Sequence, residues 1–178
     1  GIEIDRARNE VISKIMDMQK RSMSSFPSAD LSIVGPKYYS VDEFQFILSQ
    51  SRSHDIYAGR TLVGPHLSDL GAVYSSKGVD AKNCSTGEQK ALLISLIIAT
   101  AKIQIEIFHT PPILLLDEIS AHLDEERRSI LYEELHNLNL QVFLTGTDFS
   151  IFKNLEARAQ YYKITPYSNG SICEPVSN

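Results

Sequence analysis

The chain has 178 residues, of which 43% are hydrophobic and 22% charged, so it can bury one domain core and is not a disordered chain. Its formal net charge of −5 argues against a generally basic nucleic-acid-binding face, while a local basic patch stays compatible with it. Two cysteines, Cys84 and Cys173, cannot form a disulfide framework and indicate a reducing, cytoplasmic setting. The longest apolar run, between Lys90 and Lys102, is shorter than the ~20 residues of a membrane span, so we expect no membrane partner.

The first third of the chain predicts helices and one strand. Apolar residues at helical spacing predict an amphipathic helix over about the first twenty residues. Residues 31–34 predict a short strand. Ser40 followed by Glu43 predicts a capping box that opens a second helix over residues 41–50.

The middle of the chain predicts strands and then a long helix. Residues 61–63 predict a strand, and residues 72–74 and 79–82 predict a hairpin around Lys77-Gly78. The helix expected over residues 87–108 is apolar nearly all round, which predicts burial on every side.

The last third alternates strands and helices. The aliphatic run 113–116 is typical of a parallel strand covered on both faces. Asp124 predicts the N-cap of a helix ending near residue 138, and residues 141–145 and 159–164 predict the last two strands. This alternation indicates an α/β domain with a partly parallel sheet, and beyond Pro166 we expect a loose tail.

The segment Ser85-Thr86-Gly87-Glu88-Gln89, here named the Ser85 turn, opens the long helix. Ser85 and Glu88 satisfy an ordinary capping box, which requires no ligand. The same turn can hold an anion, because a helix start offers free N–H groups and a glycine lets a phosphate approach the backbone. By itself the segment leaves both interpretations open.

Asp117 and Glu118, here named the acidic turn, directly follow the aliphatic run. Acidic pairs at strand ends can simply cap a helix. An aspartate in this position can also support Mg²⁺ through a coordinated water, and the next carboxylate can orient or deprotonate an attacking water. The order of the two turns suggests nucleoside triphosphate chemistry.

These motifs resemble a known family. The order S-[ST]-G-[EQ]-Q-K, an aliphatic strand with D-E, and S-x-x-L-D is similar to the signature motif, Walker B and D-loop of ABC-type ATPase heads. The residues Asp55, Gly59, Thr61 and Gly64-Pro65-His66-x-x-Asp69-Leu70 resemble the D…G-x-T…G-P-H-R-x-D-L stretch of the RecF family of bacterial recombination mediators. Residues 141–147 resemble its last core strand, and the resemblance runs from about residue 31 to 164.

The resemblance implies roles for both turns. The Ser85 turn would bind the γ-phosphate of ATP held by an opposing protomer, through Ser85, Thr86, Gly87, Glu88 and Gln89. Asp117 would support Mg²⁺, and Glu118 would be the catalytic carboxylate.

The resemblance also implies a D-loop from Ser120 to Asp124 that crosses a dimer interface, and it puts Thr147 at the switch position. Two residues depart from the family pattern. Thr147 stands where ABC transporters carry histidine, and Leu67 stands where RecF has arginine. The resemblance therefore leaves γ-phosphate sensing by Thr147 open, and it does not assign to Leu67 the phosphate or interface contact of the family arginine.

No G-x-x-x-x-G-K-[ST] phosphate loop occurs in the 178 residues, and the chain begins at Gly1 in a helical pattern. We therefore expect the C-terminal part of an ABC-type ATPase head, inactive alone. It would comprise residues 1–57 as the end of a second lobe, 58–166 as the ATPase lobe and 167–178 as the tail.

The function that the resemblance implies is an ATP- and Mg²⁺-dependent dimerising DNA clamp in recombinational repair, replication-fork maintenance and the SOS response. Its partners would be single-strand/double-strand DNA junctions, a RecR-type mediator and a second copy of the chain. Two alternatives remain: another SMC-like or ABC ATPase head, and a non-catalytic interaction module. The former is disfavoured because no sustained heptads precede the Ser85 turn.

Overall fold

The computed structural model describes residues 1–22, 24–118 and 123–176 and divides into two compact units, Gly1–Pro112 and Ile113–Asn178. The described residues of the first unit form three α-helices and a three-stranded sheet, in the order α1 (Ile2–Arg21), β1 (Ala29–Val34), α2 (Val41–Ala58), β2 (Asp69–Tyr74), β3 (Val79–Asp80) and α3 (Thr86–Phe108). The second holds β4 (Leu114–Leu116), α4 (Glu125–Asn137), β5 (Val142–Leu144), β6 (Tyr161–Tyr167) and β7 (Gly170–Val176).

The core of the first unit lies where α1 and α3 pack beside the antiparallel sheet β1-β2-β3. Ile12 of α1, Ala29 and Leu31 of β1 and Leu92 of α3 form one buried cluster. Ser95 is a buried polar residue of α3, and its hydroxyl is paired with the Gln19 side chain of α1 at 2.6 Å. Burial of this polar group is therefore compensated by a hydrogen bond.

Helix α2 is eight residues longer than the predicted 41–50 segment and contributes no buried residue. Ser40 caps it by accepting the Glu43 N–H, but the Glu43 carboxylate accepts from Tyr39 N–H, so only half of the predicted capping box forms. The helix ends at Gly59, whose φ of 64° is the left-handed conformation that glycine adopts without strain.

The strand predicted over residues 61–63 is wrong. The Leu62 N–H donates to the Asp55 side chain at 2.9 Å, and a short 3₁₀ helix, Pro65–Leu67, follows immediately. The backbone groups that a strand would pair are thus used for a local turn. The predicted hairpin is confirmed, since β2 and β3 pair antiparallel.

Helix α3 is confirmed, but its burial on every side is wrong. Ala91, Leu92 and Ile94 are buried, whereas Leu93 is 51% and Phe108 67% exposed. Among the described residues, α3 is the one helix that is long and apolar enough to cross a membrane. Of its apolar stretch, 39% is buried inside the protein. A core helix of a folded domain meets the same criterion, and α3 packs on α1.

The second unit is built on a parallel pair of strands. Leu114, Leu115 and Leu116 of β4 pair with Val142, Phe143 and Leu144 of β5, which confirms the partly parallel sheet. The prediction that both faces are covered is wrong: Leu116 is buried, but Leu115 and Phe143 are 74% and 53% exposed. Side chains alternate between the faces of a sheet, so one face of this pair is open.

Helix α4 begins after Asp124, which accepts the Arg127 N–H at 2.8 Å and is the N-cap that the sequence predicts. The helix buries Leu131, Tyr132 and Leu135. The Tyr132 hydroxyl donates to the carbonyl of Ile151 at 2.9 Å, which ties α4 to the 3₁₀ segment Phe149–Arg158.

The predicted loose tail is wrong over its described part. Strand β6 continues to Tyr167, and β7 returns antiparallel to it with Tyr161 opposite Val176. The two residues Ser168 and Asn169 form the tight turn between them, and backbone pairing orders the segment although its side chains are exposed. The lobe boundaries at residues 57 and 166 remain predictions.

Candidate functional site

The Ser85 turn lies at the start of α3, where Ser85 is the N-cap. Glu88 N–H donates to Ser85 Oγ at 3.4 Å, and Ser85 N–H donates to Glu88 Oε2 at 2.9 Å. The Ser85 hydroxyl also bonds to Glu88 Oε2 at 2.9 Å. A full capping box therefore forms, as the sequence predicts, and it satisfies the N–H groups of Ser85 and Glu88.

Lys77, in the β2–β3 hairpin, adds a positive charge to this cluster by pairing with Glu88 Oε1. The Lys77 ammonium, together with the N–H and hydroxyl of Ser85, lowers the pKa of Glu88 from 4.5 to about 2. The same pairing raises the pKa of Lys77. The start of α3 thus holds a carboxylate in the kind of environment that suits an anion.

Gln89 is directed away from that cluster. Its side-chain amide donates to the carbonyls of Ala81 at 2.9 Å and Cys84 at 3.3 Å, which fastens the short 3₁₀ helix Ala81–Asn83 to α3. Thr86 is exposed and Gly87 half-buried, and within the described ranges no hydrogen bond is assigned to their side chains or N–H groups. These two N–H groups are the ones left for an incoming anion.

The acidic turn lies at the carboxyl end of β4, directly after buried Leu116. Asp117 and Glu118 are both exposed. Glu118 has a φ of 49°, a left-handed conformation that costs a residue with a Cβ about 1–2 kcal/mol. Such conformations persist where the surrounding structure holds them.

Thr145 holds this turn. Its hydroxyl donates to Asp117 Oδ1 at 2.5 Å and accepts from the Glu118 N–H at 3.0 Å. Its own N–H donates to the Leu116 carbonyl at 3.1 Å, which continues the β4–β5 ladder by one bond. Thr145 is the residue that sequence reasoning missed; the signal for it was its place at the carboxyl end of the neighbouring parallel strand.

The remaining predicted residues have separate places. Asp124 caps α4, while Ser120 lies outside the described residues. Thr147 is exposed, two residues after Thr145. Between them, a Cβ at Gly146 would overlap the Ile151 side chain, so the 3₁₀ segment packs closely here.

The residues that carried the resemblance before the Ser85 turn have structural roles in the first unit. Asp55 accepts from Leu62 N–H and from the Ser51 hydroxyl. Gly64 has a φ of 147°, and His66 Nε2 is 3.0 Å from the Thr61 carbonyl oxygen. They shape the loop between α2 and β2.

The structure therefore collects the predicted site residues into two groups, one in each unit. The Ser85 turn acquires Lys77, and the acidic turn acquires Thr145. Within the described ranges, no group of three or more His, Cys, Asp or Glu side chains is placed to hold a metal ion. Any cation at the acidic turn would therefore need ligands from outside this set of residues.

The chain is similar in sequence to curated RecF proteins. The DNA replication and repair protein RecF of Rhizobium meliloti is 41% identical over 182 residues, which span 97% of this chain and 48% of the relative. RecF of Rhizobium leguminosarum bv. trifolii is 42% identical over 184 residues, 98% of this chain and 48% of the relative. The chain thus spans about half the length of the curated relatives it matches. No protein-family model matches it.

Solved structures show the same fold. The recombination mediator protein RecF-ATPrS superposes with a TM-score of 0.66 at 24% identity, covering 99% of this chain and 47% of that one. An SMC ATPase, from work on ATP-driven dimerization and DNA-stimulated activation, superposes at 0.53 with 15% identity, covering 98% and 88%. By sequence, the chain is a member of the RecF family and corresponds to the C-terminal part of its longer relatives, and it shares the fold of the RecF structure.

Proposed function

We propose that this chain is the catalytic and signature part of a RecF-type ATPase that acts in DNA replication and repair. The observation that carries the proposal is the acidic turn, because two exposed carboxylates end a parallel strand and are held there by Thr145. Its relatives are named for DNA replication and repair, and a structural neighbour is a RecF-ATPrS complex.

In this proposal Glu118 is the Walker B carboxylate that orients or deprotonates the attacking water. Asp117 supports Mg²⁺. The fit is favourable, since Mg²⁺ commonly uses one or two carboxylates, several waters and the substrate phosphates. Asp117 Oδ1 accepts from Thr145, and no described bond uses its other oxygen. When bound, the ion would neutralise charge on the phosphates.

The Ser85 turn would act as the signature, offering the N–H groups of Thr86 and Gly87 and the Ser85 hydroxyl to the γ-phosphate of ATP held by a second copy. The positive end of α3 and Lys77 support an anion there. Asp124 and Ser120 would form the D-loop, and Thr147 the switch position.

The parent protein would then be an ATP-dependent homodimer that closes on DNA, at single-strand/double-strand junctions, in the cytoplasm. We also propose that the parent protein acts together with a RecR-type mediator and takes part in the SOS response. The net charge of −5 means that DNA contacts would come from a local patch or from the rest of the protein, since phosphate binding depends on clustered Lys and Arg.

The test is Glu118→Gln in the full-length protein. We expect ATP turnover to fall by about a hundredfold or more, the usual share of a general base. ATP-bound dimers should accumulate, because the nucleotide binds but is not cleaved, and light scattering measures their amount. Glu125→Gln, which changes an exposed carboxylate in the first turn of α4, is the matched control and should leave turnover unchanged.

The competing function is a non-catalytic interaction module. The closed capping box favours it, because both the hydroxyl and the N–H of Ser85 already bond to Glu88. In that case Glu118→Gln would leave ATP turnover and dimerisation at the wild-type level.

A further inference from the structure

We propose that Thr145 is the positioning residue of the acidic turn: its hydroxyl joins the Asp117 carboxylate to the Glu118 backbone and so fixes where the two carboxylates stand relative to each other. We name these two hydrogen bonds the Thr145 clamp. The inference rests on the proposed function, which assigns the chemistry to Asp117 and Glu118.

The clamp follows from the parallel pairing of β4 and β5. Leu116 lies opposite Leu144, and Thr145 N–H donates to the Leu116 carbonyl at 3.1 Å. This bond sets Thr145 beside the first residues beyond β4. A threonine hydroxyl can donate one hydrogen bond and accept others, and here it donates to Asp117 Oδ1 and accepts from Glu118 N–H.

The backbone of Glu118 explains why a clamp matters. Its φ of 49° is in the left-handed region, which residues with a Cβ rarely occupy unless their surroundings impose it. Rotation about φ moves the Glu118 side chain relative to Asp117. The bond from Glu118 N–H to Thr145 fixes the peptide plane between Asp117 and Glu118, from which that rotation starts, so loss of the hydroxyl should leave both carboxylates present but poorly aligned.

Thr145 is also distinct from the residue that the resemblance singles out. Thr147 has the switch position, but within the described ranges no hydrogen bond joins it to the acidic turn. Thr145, two residues earlier, makes both contacts. It acts through Asp117 and Glu118 rather than on the substrate.

The experiment compares Thr145→Val and Thr145→Ser in the full-length protein. Valine keeps the shape and removes the hydroxyl, whereas serine keeps the hydroxyl. Thr145 is exposed, so valine leaves no deeply buried group unpaired and the fold should be retained. Thr165→Val on the β6–β7 hairpin, where Thr165 pairs with Ile172, is the matched control.

For Thr145→Val we expect kcat for ATP to fall about tenfold to a hundredfold, as a misplaced catalytic group does, with KM for ATP little changed. Amide hydrogen exchange at Glu118 should become about tenfold faster, because the N–H loses its acceptor. Thr145→Ser should restore both quantities, and Thr165→Val should match the wild type in both.

Three results would overturn the inference. If Thr145→Val keeps wild-type kcat and exchange while Glu118→Gln abolishes turnover, the clamp has no role and the proposed function stands. If Glu118→Gln also leaves turnover unchanged, the proposed function falls together with the catalytic role of Thr145. A loss of kcat that Thr145→Ser does not restore would likewise exclude the hydroxyl as the cause.

Discussion

Glu88 gathers the polar groups at the start of α3 into one cluster. Its carboxylate accepts hydrogen bonds from the N–H and hydroxyl of Ser85, and it forms an ion pair with Lys77, which lies in the β2–β3 hairpin. Because these donors favour the charged form, they lower the pKa of Glu88 to about 2. The local stability of the helix start should therefore depend on acid pH.

We expect Glu88→Gln to weaken the fold above pH 4.5, where the wild-type carboxylate is ionised in both folded and unfolded chains. The pKa is lower in the folded state, so this stabilisation is lost as pH falls through about 2, and the two proteins should then unfold alike. Urea unfolding across this pH range measures the difference.

Lys77→Met is the control for that cause, since Lys77 makes the largest contribution to the lowered pKa. When it is introduced into the wild-type protein, Lys77→Met should make the free energy of unfolding depend less on pH between 4.5 and 2. Unfolding curves for wild type and Glu88→Gln that keep a constant separation from pH 4.5 down to 2 would contradict the assignment.

At the scale of elements, α3 is one-sided although its sequence is apolar nearly all round. The neighbouring leucines Leu92 and Leu93 show this most directly, because Leu92 is 3% and Leu93 51% exposed. Leu92 belongs to the cluster with Ile12 and Leu31, whereas Leu93 has turned about 100° away from it.

Leu92→Ala should reduce the free energy of unfolding by about 2–5 kcal/mol, the usual cost of a buried leucine with its cavity. Leu93→Ala, the same change one residue later, should cost about 0.5 kcal/mol or less. Chemical denaturation of the 178-residue chain compares them. Equal losses would mean that the exposed face of α3 is covered in solution.

On the scale of the whole molecule, the two turns belong to separate units, Gly1–Pro112 and Ile113–Asn178. Neither contains the G-x-x-x-x-G-K-[ST] loop whose backbone cradles phosphates, since the sequence lacks it. Under the proposed function, each turn supplies only a part of a nucleotide site.

The 178-residue chain by itself should therefore bind Mg-ATP no more tightly than about 1 mM and should not hydrolyse it measurably. Isothermal titration calorimetry with Mg-ATP tests the first statement, and a phosphate-release assay tests the second. Binding near about 1 μM would show that the chain carries a complete phosphate site of its own.

Much of the architecture was predictable from local pattern. Helical spacing predicted α1, the capping residues predicted the starts of α3 and α4, and the aliphatic run predicted the parallel strand β4. Such signals act over a few residues and are strong where a cap or a period is unambiguous. The strand at 61–63 failed because the Asp55 side chain satisfies the backbone there.

The sequence by itself determined the family, the α/β class and the positions of the Ser85 and acidic turns, because these depend on neighbours along the chain. Only the tertiary structure decided that Lys77 pairs with Glu88, that Thr145 holds Asp117 and Glu118, and that α3 and β4 leave one face open. Those features join residues 11 to 28 positions apart, or depend on what packs against a face. Sequence patterns indicate whether a side chain can be buried and which hydrogen bonds it can form. The packing of helices and strands then decides which residue becomes its partner.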